Sequence, residues 1–423
     1  MHTSSPNLSH YRAAFPALNQ TIQGQPVIFF DNPGGTQVPT TVIDAMTAYL
    51  TRANANTGGA FATSRRTDAM FNEARAGMAD FLNASPDEII FGNNMTTLTF
   101  SMSRAIGRAL KPGDEILVTT LDHDANIAPW LALRESDVVI QTADIHPEDC
   151  TLNMEDVRTK ITPRTKLIAV GYASNAVGTI NNVPQIIQWA REVGALVFVD
   201  AVQYAPHAPI DVRALDCDFL VCSSYKFFGP HLGILYGKLP LLEQLMAYKV
   251  RPAPNTPNEK FETGTLNHEG IAGLLGALEY LATLGQDQSD HYPDTYTEWS
   301  GRRRALKLAM HAIQDYEQGL FAHLLTGVKT ISDLHLYGLT RLEDLPRRVP
   351  TLACTSRSHK PRDMARALGD QGIFVWDGNY YAMALMDRLG LHKHGALRIG
   401  LAHYNTTEEI DRLVLALQEL HEQ

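Results

Sequence analysis

The sequence predicts an α/β protein: a large unit on a mainly parallel sheet of seven strands, followed by a smaller α+β unit. Short apolar, β-branched runs alternate with helical patterns through the first two thirds of the chain, as βαβ units require. Most of those runs are continuously apolar, as strands covered on both faces should be. The pattern then breaks at Arg251–Asn258, where Pro252, Pro254 and Pro257 exclude a helix or a central strand.

In chain order the strand candidates are Glu88–Phe91, Glu115–Thr119, Val138–Thr142, Leu167–Gly171, Ala195–Asp200, Phe219–Ser223 and Gly233–Tyr236. Helical patterns over Thr41–Arg52, Thr67–Leu82, Thr97–Leu110 and Val183–Val193 stand among or before them. Beyond the proline cluster, Gly270–Leu284 reads as one long core helix, and Gln286–Asp294 is a polar break. The smaller unit offers strands at Leu334–Tyr337, Pro350–Thr355, Ile373–Trp376 and Leu397–Leu401. It closes with a helix opened by a capping box, Thr406 and Glu409, and striped by Ile410, Leu413, Val414, Leu417 and Leu420. The expected division is a large domain over residues 26–285, with residues 1–25 and 286–423 forming the small one.

Composition removes several function classes. The 423 residues are 44% hydrophobic and 19% charged, enough for a sizeable core. A net charge of −10, from 36 Lys plus Arg against 46 Asp plus Glu, argues against nucleic-acid binding, which needs clustered cations. No apolar run is long enough for a membrane span, and the polar stretch Met1–Tyr11 has no secretory apolar region. Cys150, Cys217, Cys222 and Cys354 stand at no metal-binding spacing, so no metal is expected and a reduced, cytoplasmic setting fits.

Chemistry concentrates at strand ends. Leu196–Asp200 ends in a carboxylate, and roughly 26 residues on, a second apolar strand runs into Ser224, Tyr225 and Lys226. Ligands of open α/β sheets bind beyond the carboxyl ends of the strands, so Asp200 and Lys226 could share one crevice. A desolvated lysine can form a Schiff base, and a carboxylate facing a pyridinium nitrogen is what pyridoxal phosphate needs. The plainer reading makes Asp200 a turn cap and Lys226 a solvated cation. Gly92–Thr97 is a polar turn opening a helix, either a simple cap or a phosphate cradle helped by Thr96 and Thr97. His123, in LDHDAN, fits a turn, a metal ligand or an imidazole stacked on a flat cofactor, and Asn175 emerges at another strand end. Tyr380 and Tyr381 fit core aromatics or acid–base groups.

These residues sit within longer stretches that resemble one family nearly end to end. FFDNPGGTQVP, FLNASPDEIIFGNNMTT, GDEILVTTLDHDANIAPW, SNAVGTINNV, GALVFVDAVQYAPHAPIDV, LDCDFLVCSSYKFFGPHLGILYG and FETGT resemble class V aminotransferase-family, fold-type I pyridoxal-phosphate enzymes, in particular the cysteine desulfurase and selenocysteine lyase group. The resemblance implies that Lys226 carries pyridoxal 5'-phosphate, that Asp200 pairs with its ring nitrogen and that His123 stacks on the ring. Asn175 and Gln203 would lie near the phenolic oxygen. Thr96, Ser223, Tyr225 and the Met95 amide would hold the phosphate, and Thr265 would reach the partner subunit's phosphate in a homodimer. Arg398 and Asn32 would bind the carboxylate of a small amino acid.

The chain departs from the family's pattern at telling places. Desulfurases carry a persulfide-forming cysteine on a mobile loop, and the corresponding stretch here, WDGNYYAMAL, has Tyr381. The histidine usual before the Schiff-base lysine is Tyr225, a feature shared with kynureninases. Asn94 and Met95 replace Gly and Thr in the phosphate turn. The expected activity is elimination of sulfur or a related β-substituent without a persulfide cysteine, with Lys226, His123 and Tyr381 as catalytic groups. The alternatives are an aminotransferase or epimerase on the same fold, or a non-catalytic descendant.

Overall fold

In a computed structural model the chain is described over residues 6–422; Met1–Ser5 of the polar N-terminal stretch and Gln423 lie outside. The large unit is built on β1 (Ile89–Gly92), β2 (Glu115–Thr119), β3 (Val139–Ala143), β4 (Thr165–Gly171), β5 (Leu196–Asp200), β6 (Phe219–Ser223) and β7 (Gly233–Gly237). They stand in the order β1-β7-β6-β5-β4-β2-β3. Only β7 runs antiparallel, between β6 and β1. Register places Asp200 beside Gly171 on one side and Val221 on the other, so β4 and β5 finish level and β6 runs two residues further, to Ser223.

Side chains alternate across the sheet, and both faces are covered. Leu117, Ile168, Val197, Val199 and Leu220 enter the core on one face. Ile116, Val118, Leu167, Phe198 and Phe219 enter the core on the other. That double burial is why these strands read as continuous apolar runs. Strand β3, at the sheet edge, is covered only in part, and its polar Gln141 and Thr142 reflect this.

Two helices differ from expectation. The helix foreseen at Thr67 begins earlier and spans Ala62–Leu82. Gly301–Val328, the longest helix of the described residues, shows no readable stripe in sequence. Its buried set includes Lys307 and Glu317 beside Leu306, Leu308 and Ile313, because it is enclosed on several sides. Lys307 Nζ donates to Phe81 O at 2.7 Å, and Glu317 pairs with His207 at 2.7 Å. The helix crosses His268–Asp287 at Gly285, where a Cβ would lie 1.7 Å from Ala305 O. Any larger residue would push the two helices apart.

The small unit is a four-stranded antiparallel sheet of β8 (Leu334–Tyr337), β9 (Thr351–Ser356), β10 (Trp376–Gly378) and β11 (Ala396–Gly400), ordered β8-β9-β11-β10. The single strand expected at Ile373–Trp376 is two. Ile373–Phe374 pairs in parallel with Ile28–Phe29, and the chain then bends into β10. Ile28 and Phe30 therefore pack into the small unit's core with Leu397 and Ile399. The closing helix, Thr407–Glu422, has the capping box foreseen: Glu409 N donates to Thr406 Oγ1 at 3.3 Å, and Thr406 N to Glu409 Oε2 at 3.2 Å. No helix among the described residues is long and apolar enough to cross a membrane.

Candidate active site

The carboxyl ends of β2, β4 and β5, the turn after β6, and β11 enclose a cavity of about 990 Å³. Asp200, the last residue of β5, is buried there and accepts from Val202 N at 2.9 Å. Burial pushes its carboxyl up to about 6, the Val202 amide and Lys226 opposing. Lys226 sits in the short turn after β6; its Nζ donates to Pro33 O and lies 4.9 Å from the centre of the Tyr225 ring. Burial and then the Arg398 cation bring its ammonium down to about 7, against the pull of Asp200. Desolvation thus outweighs the attraction between the two groups, and Lys226 is an amine that loses its proton near neutrality.

His123 follows β2 and caps the turn Asp124–Asn126, its Nδ1 accepting from Ala125 N at 3.0 Å. That bond places the ring proton on Nε2. Burial, with Lys226 and Arg398 nearby, lowers the imidazole to about 4, so a neutral, flat ring faces the cavity. Its neighbour Asp122, not singled out in the sequence, also lines the cavity. Asp122 is held by Thr119 Oγ1 at 2.6 Å and Asn126 Nδ2 at 3.2 Å, and burial raises it to about 7. Gly171 makes room for it: a Cβ there would sit 2.6 Å from Asp122 Oδ1. Its position at a strand's carboxyl end was the available signal.

At one end of the cavity the helix Met95–Gly107 begins, capped by Asn94, which accepts from Thr97 N at 2.8 Å. Gly233 opens β7 hard against this turn, where a Cβ would lie 2.8 Å from Met95 N. Met95 and Thr96 line the cavity, as do Tyr225, Asn175 and Gln203. Ser223 is not part of the lining; its Oγ is buried with no partner among the described residues.

Arg398, on β11, stacks over Tyr380 at 4.2 Å from the ring centre and donates from Nη1 to Asn175 O at 2.9 Å. Burial lowers it only to about 10, so it stays a cation. Tyr380 and Tyr381 have positive φ angles of 55° and 57°, an uncommon pair for residues with side chains. Contacts on several sides hold them. Tyr380 OH donates to Ala396 O, Asn175 Nδ2 donates to Tyr380 O at 2.8 Å, and Asp124 N donates to Tyr381 O at 2.7 Å. Tyr380 is the buried aromatic, whereas Tyr381 is 70% exposed at the cavity and stacks on His123 at 5.5 Å.

Besides Ser223, two expected site residues lie outside the cavity wall. Asn32 is not in the cavity wall, and its carboxamide is engaged by the fold. Its Nδ2 faces Phe29 O and Gly400 O at 2.9 Å each, and its Oδ1 accepts from Tyr404 OH. Thr265 is exposed and outside the cavity of its own chain. The four cysteines are free and buried, and none lines the cavity; burial pushes the Cys354 thiol up to about 12.

The residues present fit pyridoxal phosphate. Asn175 Oδ1, Gln203 Oε1, Ser223 Oγ and Arg398 Nε are buried polar atoms with no partner among the described residues, at or beside one cavity. Buried polar atoms left this way call for a polar ligand. Asp200 and Lys226 supply the carboxylate and the amine, and the helix start at Met95 an anion site.

The aminotransferase class-V family model matches residues 28–303 and 299–413. A cysteine desulfurase of Pectobacterium atrosepticum is 32% identical over 430 aligned positions, covering 98% of each chain. The aminotransferase-like protein FGM3 of Gibberella zeae is 33% identical, covering 99% of each. Among solved structures, the apo cysteine desulfurase of Thermococcus onnurineus superposes with a TM-score of 0.84 at 26% identity, covering 99% of each chain. The Escherichia coli cysteine desulfurase CsdA gives 0.81 at 26%, also over 99% of each. With a seven-stranded sheet of this topology and an amine, a carboxylate and an imidazole at its strand ends, the chain belongs to the class V aminotransferase family and is a pyridoxal-phosphate-dependent enzyme of fold type I.

Proposed function

We propose that this enzyme is a desulfurase-like lyase that expels a sulfur or related β-substituent from a small amino acid without forming a persulfide on its own chain. The observation that carries this reading is the cavity wall: it holds Tyr381 and no thiol, while every cysteine is buried elsewhere. A phenol oxygen, unlike a thiolate, cannot store sulfane sulfur.

When bound, pyridoxal phosphate supplies the electron sink for the pair left on the substrate's α-carbon. In this reading Lys226 attaches the cofactor and, once released, moves the α-proton with its near-neutral amine. Asp200 holds a proton on the ring nitrogen, and neutral His123 covers the ring face. Asn175 and Gln203 bring polar atoms toward the phenolic oxygen, and Met95 and Thr96 face the phosphate. Arg398 takes the substrate carboxylate through a planar fork. Tyr381 protonates the leaving group at the cavity mouth. Thr265, exposed on one protomer, completes the phosphate site of the partner in a homodimer, and the reduced thiols suit the cytoplasm.

The purified enzyme should release sulfide and pyruvate from cysteine, or the corresponding products from a β-substituted analogue, with no persulfide trapped on the chain. Thiol trapping that finds a persulfide on Cys354 after cysteine turnover would overturn the proposal and restore a relocated desulfurase nucleophile. The 33% identity to an aminotransferase-like protein supports a second reading, transamination, which would show as keto-acid formed only with an amino acceptor.

A further inference from the structure

None of Asp333, His359 and His421 lines the cavity, yet the fold brings the three together on the small unit. Asp333 lies just before β8, His359 just after β9, and His421 near the end of the closing helix. One nitrogen of each histidine and one carboxylate oxygen lie within 4.8 Å of one another.

The surrounding hydrogen bonds decide where the lone pairs point. His421 Nδ1 lies 2.6 Å from Leu417 O, which only accepts, so Nδ1 bears a hydrogen, and in the neutral ring the lone pair is on Nε2. That Nε2 faces Asp333 Oδ2 at 3.2 Å but makes no hydrogen bond among the described residues, and the His421 side chain is only 6% exposed. Ser356 Oγ and Ser358 Oγ both donate to Asp333 Oδ2. The Ser358 hydroxyl then accepts from His359 Nδ1 at 2.9 Å, which leaves the lone pair of His359 on Nε2 as well. In its neutral form each imidazole donates its δ N–H to an oxygen and has Nε2 left to bind a metal, the arrangement by which protein oxygens orient metal-bound histidines.

We propose that Asp333, His359 and His421 bind a divalent transition-metal ion of the zinc class, which ties the closing helix to two loops of the small unit. Two imidazoles and a carboxylate suit zinc, cobalt, nickel or copper rather than magnesium or calcium. Ligand atoms about 2.0–2.2 Å from a tetrahedral ion stand roughly 3.4 Å apart, so atoms at the 4.8 Å limit would close by about 1.4 Å. Rotation of the partly exposed Asp333 and His359 side chains supplies that, and water takes the fourth position.

The test uses the full-length holoenzyme, stripped by a chelator and titrated with Co²⁺ or Zn²⁺ alone. One equivalent per chain should bind, Co²⁺ giving visible d–d bands to the red of the cofactor's absorption, and Zn²⁺ should raise the Tm. His359→Gln and His421→Gln should each weaken binding by more than tenfold, and Ser358→Ala by about 10–100-fold through loss of ring orientation. His392→Gln, in an exposed turn, should bind as the parent does. Failure to take up Co²⁺, or uptake that persists in both histidine variants, would overturn the proposal. So would a metal-independent stabilisation that His421→Gln removes without any change in metal uptake, since the three residues would then form only an ion pair. Asp333→Asn, which keeps the size of the side chain, provides a second ligand variant if either histidine change impairs folding.

Discussion

Replacing Arg398 separates two effects that the structure ties to one side chain. Its Nη1 is committed to Asn175 O, and its Nε has no partner among the described residues, so a substrate carboxylate meets a fork with one edge open. A hydrogen bond to a charged group contributes about 1.5–3 kcal/mol, which corresponds to roughly 10- to 150-fold in affinity. Arg398→Met keeps the apolar packing on Tyr380 and removes the charge. Amino-acid affinity, read from changes in the cofactor's absorption, should fall by that factor while the bound cofactor's own spectrum survives. The second effect is on Lys226, whose lowered pKa of about 7 owes its second cause to Arg398. Only the neutral amine attacks an aldehyde, so capture of pyridoxal phosphate by the cofactor-free protein should quicken as pH rises through about 7. Without the Arg398 cation the ammonium is less disfavoured, and that midpoint should move upward. Arg398→Lys keeps the charge but loses the fork, so its midpoint should stay near the parent's while affinity still falls. An Arg398→Met enzyme with unchanged affinity and an unchanged midpoint would refute both arguments and make Arg398 a structural ion.

Borohydride reduction followed by mass spectrometry should place the cofactor adduct on Lys226, and Lys226→Ala should lose the reducible band; an adduct on another lysine would redirect the site assignment. Asp122→Asn should stabilise the cofactor-free protein in a pH-dependent way. The Asp122 pKa is raised on folding, from 3.8 to about 7, so its favourable contribution is present below about 4 and is lost as pH rises through 7. The Asn variant escapes that loss, because Asn126 Oδ1, buried without a partner among the described residues, can accept its new N–H after an amide flip. Its Tm advantage should therefore grow between pH 4 and 7, toward a ceiling on the order of 4 kcal/mol, and a pH-independent difference would contradict the burial argument. Light scattering should find a dimer, and Thr265→Ala should weaken cofactor retention; a fully active monomer would remove Thr265 from the site.

The sheet was legible in sequence because both its faces are buried: continuous runs such as Leu196–Asp200 have no other comfortable place in a folded chain. The capping box at Thr406 and Glu409 was legible too, being a local reciprocal bond that needs no distant partner. Lys226, Asp200, His123 and Asn175 could be placed at strand ends, since a polar residue closing an apolar strand reports the edge of the sheet. The helix Gly301–Val328 was not legible. Its polar residues are buried against groups far along the chain, Lys307 against Phe81 O and Glu317 against His207, so no stripe marks its inner face. Only the tertiary structure set Asn32 aside, because Tyr404, more than 350 positions later, is one of the groups that engages its carboxamide. Only the tertiary structure brought Asp122 into one cavity with Lys226, where the family resemblance had already placed Arg398. Sequence spacing encodes the period of a helix or a strand, whereas desolvation, which sets the charge on Lys226, Asp200 and Asp122, depends on everything that packs around them.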